Sequence, residues 1–405
     1  MNTNDPLPAS PTPDPQHVAR DSRRANLALA IAGFACFALL YGTQPVLPQL
    51  AQAFDISPGA ASLSVSAGTA ALALLLIPFS LIADRYGRRH LMCFGLFGAT
   101  LFSLASAAAP DYMLLLLCRA GVGACIAGVP AAAMAYIGEE IPLDGRSRAM
   151  GMYIAANALG GMCGRFLSAL LTDWLNWRIG LAALGLLGVA AAIAFARLLP
   201  VGRHFVPRSL EPRVLIADVR QIYSDAGLPW LFLIAFLIMG SFVGTYNYLG
   251  FRLGLPPYAL GPAAVGAIFL LYAVGSISST LAGLVAMRFG YARILALMSL
   301  CMVVGILTTL ANSLPAIVFG LAVFTFGYFA VHAAASGWVA RRAGSRRGLV
   351  SALYLSSYYL GGSVIGSAAG WPWLHGGWPG VVVALLLCSA GVIAIVIRLR
   401  KLGDG

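Results

Sequence analysis

Two arginines and a histidine stand inside stretches that otherwise carry no charge. Arg119 lies in Arg-Ala-Gly-Val-Gly, Arg165 in Gly-Gly-Met-Cys-Gly-Arg and His332 in Phe-Ala-Val-His-Ala-Ala-Ala. Charge in an apolar run is expensive, so such residues line a cavity or meet a partner. A guanidinium offers two parallel N–H bonds, which suit a carboxylate, a phosphate or a polarised carbonyl. For Arg119 the competing reading is a side chain that snorkels to the interface. His332 suits proton exchange, because imidazole titrates near neutral pH. A structural histidine bonded to a nearby carbonyl fits it equally well. Asn157 shares a run with Arg165. Tyr41, Gln44, Asn247 and Tyr358, with Tyr246, Tyr248, Tyr272, Tyr354 and Tyr359, supply aromatic and amide groups for a cavity wall. No Asp or Glu lies at comparable depth, so coupling through a membrane carboxylate has no candidate residue.

A second chemistry is concentrated in Ser80–Met92, Ser-Leu-Ile-Ala-Asp-Arg-Tyr-Gly-Arg-Arg-His-Leu-Met. Gly87 supplies the tight turn. Asp84 adds nothing to topology and needs a cation or a helix N-terminus beside it. Glu139 and Glu140 end a later run, and Arg347 precedes the eleventh. Closure of that face would bring Asp84 to the start of the eleventh run, and Arg88 or Arg89 to Glu139 or Glu140. Pairs desolvated only in the shut state bias the molecule toward it. Solvated loop charges, each contributing little, are the alternative.

These groups need long apolar elements to hold them. The chain has 405 residues, 60% hydrophobic and 10% charged, which excludes a soluble domain. Twelve spans are expected, at about 26–48, 60–83, 90–109, 111–137, 148–172, 178–199, 229–251, 262–286, 292–312, 314–339, 348–370 and 379–398. Each is long enough for the roughly 20 apolar residues that cross a bilayer. An even count puts both termini on one side. Of the 26 basic residues, 22 then fall on that side, Arg178 and Arg252 opposite, and Arg119 and Arg165 within spans. The positive-inside rule makes the terminal side cytoplasmic. Net charge +12 is thus explained by orientation, and no nucleic-acid partner is expected. Seven single cysteines form no Cys/His cluster and read as small core hydrophobes.

The expected organisation is a disordered tail at 1–25, six spans at 26–199, a linker at 200–228, six spans at 229–398 and a tail at 399–405. The linker carries an amphipathic patch near residues 214–222. The halves repeat. Arg85 falls on Arg288 and Gly87 on Gly290, while Asp84 falls on Met287. Gly160-Gly161 falls on Gly361-Gly362 and Trp177 on Trp378. A duplicated six-helix unit facing its copy across a cavity is a transporter architecture. No Gly-x-x-x-x-Gly-Lys-Ser/Thr loop occurs, so nucleotide-driven transport is not expected.

The Ser80–Arg89 string resembles the signature between helices 2 and 3 of the major facilitator superfamily, matched at Asp84, Arg85, Gly87, Arg88 and Arg89. Its first glycine is Ser80 here. The resemblance implies an all-α membrane protein of twelve helices in two pseudo-repeated six-helix bundles, and the cytoplasmic latch described above. Arg119-x-x-x-Gly123 resembles a second motif, which implies proton coupling. Gly151, Gly160 and Gly164 reproduce the glycine spacing of the efflux branches and imply close helix packing. Arg165 and Ser168-Ala169 replace the proline and the glycine pair of that motif. Strings at 39–48, 160–165, 176–178 and 199–205 are similar to one bacterial subgroup, the YnfM-type inner-membrane transport proteins. The resemblance implies a secondary transporter rather than an enzyme, monomeric in the bilayer, with a small-molecule substrate. It implies a proton as the coupling ion and no other cofactor.

Overall fold

The structure, a computed structural model, describes residues 15–202 and 212–401; the side chains of residues 15–18, Asp84, Tyr86, Pro212 and Ser345 lie outside the description. The described residues are mostly helical, with no strand among them, and include twelve helices long and apolar enough to cross a membrane.

In the first half the helices are α1 (Pro15–Tyr41), α2 (Leu47–Phe54), α3 (Pro58–Tyr86), α4 (Arg88–Ala108) and α5 (Tyr112–Ile126). They continue with α6 (Gly128–Glu140), α7 (Leu143–Trp174) and α8 (Trp177–Leu198). A linking helix, α9 (Pro212–Tyr223), precedes the second half. There follow α10 (Leu228–Gly254), α11 (Pro262–Ile268), α12 (Tyr272–Phe289), α13 (Tyr291–Thr308), α14 (Leu314–Arg342), α15 (Arg347–Ala368) and α16 (Gly370–Arg400). The end of the bundle that carries α9 is called the terminal end below, and the opposite end the distal end.

Helix starts follow ordinary capping chemistry. Ser57, Asp111 and Asn176 each accept a bond from the backbone N–H three residues on, opening α3, α5 and α8 at the distal end. Gly87 and Gly290 have φ of 98° and 89°, which favour glycine and turn the chain between α3 and α4 and between α12 and α13. The two positions expected to correspond therefore share one backbone conformation.

Two expectations are corrected. The tail boundary at residue 25 is too late, because α1 begins at Pro15 and Ala25 is already buried. Proline is well placed in a first helical turn, and an Ala- and Arg-containing stretch extends the helix. The linker also holds structure: α9 covers the expected amphipathic patch. Arg342 pairs with Asp225 at 3.1 Å, and Arg346 with Asp218 at 2.7 Å, which fastens α9 to the second half.

The repeat extends to atoms. A Cβ on Gly160 would lie 2.0 Å from the Phe34 carbonyl oxygen, and one on Gly361 2.0 Å from that of Phe236. In both halves α7 or α15 thus presses on α1 or α10 through a glycine. Between membrane helices such contact is a main source of association, because lipid leaves little hydrophobic drive. Gly164 packs on Ala38, and Gly123 on the Gly68 carbonyl, in the same manner. Gly151 departs from the expected packing role. It is exposed with nothing within 4 Å, because the terminal end of α7 stands clear of the second half.

At the distal end, Arg178 donates to the carbonyls of Ala107 and Ala109 and lies over Trp177. Arg252 donates to those of Thr309 and Ala311 and lies over Trp378. Each arginine satisfies carbonyls left over where α4 or α13 ends.

Candidate functional site

The two halves meet along a seam between α3 and α15 and between α7 and α11. Among the described residues, the hydrogen bonds that join one six-helix half to the other lie in the distal part of this seam. Ser62, Ser66 and Thr69, at helical spacing on α3, face Ser363 and Ser367 on α15. Tyr248 adds bonds to Ser62 and to the Ser367 carbonyl. Gly59 and Gly370 touch backbone to backbone. Toward the terminal end, Gly151 on α7 and Gly348 on α15 have nothing within 4 Å. The seam is shut distally and stands open toward the termini.

At the inner edge of the shut part, two spans break. Span 1 leaves α-helix after Tyr41 and passes through a 3₁₀ turn, Gln44–Val46; span 8 does the same at Phe269–Leu271. Such turns within a span mark hinges or sites. Between the two turns projects Arg165 of α7. It is 3% exposed, and its partners are neutral oxygens and ring faces. Nε donates to Gln44 Oε1 at 2.6 Å and Nη1 to the Gly161 carbonyl at 2.6 Å. Its guanidinium carbon lies 4.0 Å from the Tyr41 ring centroid, 5.1 Å from Tyr272 and 5.3 Å from Phe269. The Gln44 amide then donates to Asn247 Oδ1 at 2.8 Å, across the seam. Because Arg165 can only donate, the Gln44 oxygen must face it and the nitrogen must face Asn247.

From Arg165 a continuous aromatic wall runs through the second half. Tyr272 contacts Phe242, which stacks on Tyr328 at 3.8 Å between centroids; Tyr328 in turn stacks on His332. His332 Nδ1 lies 3.1 Å from the Tyr354 hydroxyl, and its ring lies 4.6 Å from Tyr358. The hydroxyls of Tyr328 and Tyr358 share a hydrogen bond. Tyr41, Gln44, Arg165, Asn247, Tyr358 and His332 therefore belong to one connected surface. Phe242 and Tyr328 were not anticipated, since an aromatic residue in an apolar run carries no sequence mark of its own. The seam serines were also missed, although their four- and three-residue spacing is visible.

Two expected members stand elsewhere. Arg119 does not line the seam. It is 1% exposed within the first half and donates to the carbonyls of Ser64, Leu39 and Leu40. Those carbonyls lie beside the break of span 1 and satisfy the guanidinium, which removes the need for a cavity. Arg119 thereby holds α1 and α3 where Tyr41 and Gln44 require them. Asn157 is half-buried, with Oδ1 against Gly33 of α1.

In the charged turn, Arg88 forms a fork on Glu139, with Nη2 to Oε1 at 2.8 Å and Nε to Oε2 at 3.4 Å. This pair lies within the first half and exists while the terminal end is open, so it does not require closure. Arg89 donates to the Ala196 carbonyl instead of meeting a glutamate. Arg85 and Arg347 are exposed, and Glu140 lies beside Gly202. The Asp84 side chain lies outside the described residues.

Two bundles related by a repeat, spans broken beside the seam and a seam open at one end describe a membrane carrier. The profile of the Major Facilitator Superfamily matches residues 29–366. The chain belongs to that superfamily. It is 41% identical to the inner membrane transport protein YnfM of Escherichia coli (strain K12), over 98% of this chain and 97% of that one. It is 39% identical to the uncharacterized MFS-type transporter YybF of Bacillus subtilis (strain 168), over 94% and 95% of the two chains. A bacterial homolog of the human lysosomal transporter Spinster, in an inward-facing and occupied conformation, shares the fold at TM-score 0.73. Its identity is 17%, with coverage of 97% of this chain and 96% of that one. A peptide transporter POT in complex with sulfate does so at TM-score 0.75 and 13% identity, with coverage of 94% and 96%. This superfamily member is a membrane transporter of a small molecule, and not an enzyme.

Proposed function

We propose that the chain exports an anionic or neutral polar small molecule across a bacterial inner membrane in exchange for protons. The observation that supports this cargo chemistry is Arg165, a buried guanidinium at the seam held only by neutral groups. Uncompensated positive charge in a low-dielectric space repels an organic cation and attracts carboxylate, phosphate or a polarised carbonyl. A substrate oxygen that displaces Gln44 Oε1 forms a charge-assisted bond in place of a neutral one. Gln44 is then released from Asn247, which loosens the distal seal. Substrate binding is in this way linked to opening at the far end.

His332 is the proton-exchanging group in this reading, supported by its bond to Tyr354 and its place on the same wall. Export is supported by the spacing of Gly160 and Gly164 and their backbone contacts with α1. A cytoplasmic position for both termini is supported by the excess of arginines at the terminal end. The seam is then open to the inside. The carrier works as a monomer in the bilayer, with neither nucleic acid nor a cofactor besides the proton. A second reading, facilitative or uptake carriage of a small polar metabolite, is favoured by one feature: Arg165 replaces the efflux-pattern proline, and α7 runs unbroken over Leu143–Trp174.

The test is substrate-stimulated proton flux in proteoliposomes over a chemical library, with a parallel binding panel. Arg165→Ala is expected to lose anionic and neutral ligands first. Tight binding of quaternary ammonium dyes to the wild type, unchanged in Arg165→Ala, overturns the cargo assignment. Labelling of a cysteine at residue 204 from the periplasm alone overturns the orientation.

A further inference from the structure

We infer that the terminal end of the second half carries a binding site for the phosphate of an anionic phospholipid in the inner leaflet. The site is a groove of about 680 Å³ into which Arg288, Arg293, Arg341 and Arg400 converge, with no carboxylate among the described residues that line it. The four come from separate places: Arg288 from the end of α12, Arg293 from the first turn of α13, and Arg341 and Arg400 from the ends of α14 and α16.

The repeat shows what is unusual here. The corresponding place in the first half balances its own charge. There Arg88 is bound by Glu139, and Asp84 and Glu140 stand nearby in sequence. In the second half Met287 replaces Asp84, and Arg341 and Arg342 fall where Glu139 and Glu140 stood. Arg342 turns to Asp225 of the linker, while Arg341 faces the groove and lies over the Tyr291 ring at 5.6 Å. Both acidic positions have thus been exchanged for apolar or basic ones around a cavity. Orientation alone asks for positive charge on this side, but not for its convergence from four helix ends on one hollow.

The neighbouring surface selects a lipid over a soluble anion. Leu281, Leu284, Met287 and Phe289, on the flank of α12 that leads to Arg288, are 48, 60, 66 and 50% exposed. Acyl chains laid along that flank would place a headgroup phosphate among the arginines. Basic pockets at the cytoplasmic ends of membrane helices recognise anionic headgroups by this combination. The assignment to the inner leaflet rests on the cytoplasmic orientation proposed above. A wrong orientation appears separately in the residue-204 labelling, and lipid association needs no transport substrate.

The test reconstitutes the full chain into phosphatidylcholine vesicles with trace spin-labelled phosphatidylglycerol or spin-labelled phosphatidylcholine. The motionally restricted fraction is then measured. Phosphatidylglycerol should associate more strongly than phosphatidylcholine, with a loss of roughly fivefold for each arginine changed to glutamine. The triple variant Arg288→Gln, Arg293→Gln, Arg400→Gln should show no preference. Millimolar glycerol phosphate should fail to displace the labelled lipid. Equal association of the two lipids with wild type, retention of preference in the triple variant, or displacement by glycerol phosphate overturns the proposal. If the triple variant does not fold, Arg400→Gln and a salt titration of wild type decide, and a preference insensitive to both overturns it.

Discussion

Gln44 Nε2 and Asn247 Oδ1 lie 2.8 Å apart although 203 residues separate them, and the bond closes the distal seam beside Arg165. Removing one partner leaves the other buried and shifts the balance between closed and open seams. Asn247→Ala should move that balance by about 1 kcal/mol, roughly fivefold. Modification of a cysteine at Ser62 from the distal side would rise by that factor. Unchanged reactivity would show that the serine contacts hold the seam alone.

The paired glycines give a stability prediction. Gly160→Ala and Gly361→Ala each drive a methyl into a carbonyl of the facing helix, where only the backbones can give way. Each should cost about 1–3 kcal/mol, read as a lowered unfolding temperature in detergent. Gly151→Ala, in open space, should be neutral or slightly stabilising. Equal behaviour of all three would contradict the packing.

Acidification should release the linker helix late. Burial raises the Asp225 pKa, but hydrogen bonds from Arg342 and from the N–H groups of Leu228 and Gly227 outweigh it, and the net effect holds the carboxyl below its ordinary value. A lowered folded-state pKa means that the stabilisation is fully present above the ordinary value and fades as pH falls through the lowered one. Hydrogen exchange in α9 should therefore stay slow down to ordinary carboxylate values and accelerate only below them. Asp225→Asn should make it fast at neutral pH.

Asp84→Asn should slow transport far more than it lowers expression, because the second half manages with Met287 at the corresponding place. The check is transport rate per inserted protein. Arg88→Gln should act differently. Its pair with Glu139 lies inside one half and is part-exposed, so its loss should cost at most about 1 kcal/mol of stability.

Composition alone nearly delivered the architecture. Apolar runs and arginine placement report the solvent, and a bilayer is a demanding solvent, so all twelve spans were legible. Gly87 and Gly290 were legible as a pair because positive φ favours one residue type. The site was harder to read. Arg119 and Arg165 look alike in sequence, each a lone charge in an apolar run. Only the fold decides that one is consumed by the carbonyls beside a helix break while the other reaches the seam. The bond between Gln44 and Asn247 left no trace, since neither amide requires the other until two bundles dock.

The distal caps carry a lesson about descent. Trp177 and Trp378 correspond, and so do the carbonyls of Ala107 and Thr309, yet the arginines that serve them do not. Arg178 follows its tryptophan directly, whereas Arg252 comes from the end of α10, far from Trp378 in the chain. The two copies share a need of the backbone rather than a side chain, and each meets it with an arginine from a different place in its half. A search for ancestry by matching residues would overlook this likeness, while a search for matched obligations of the backbone would find it.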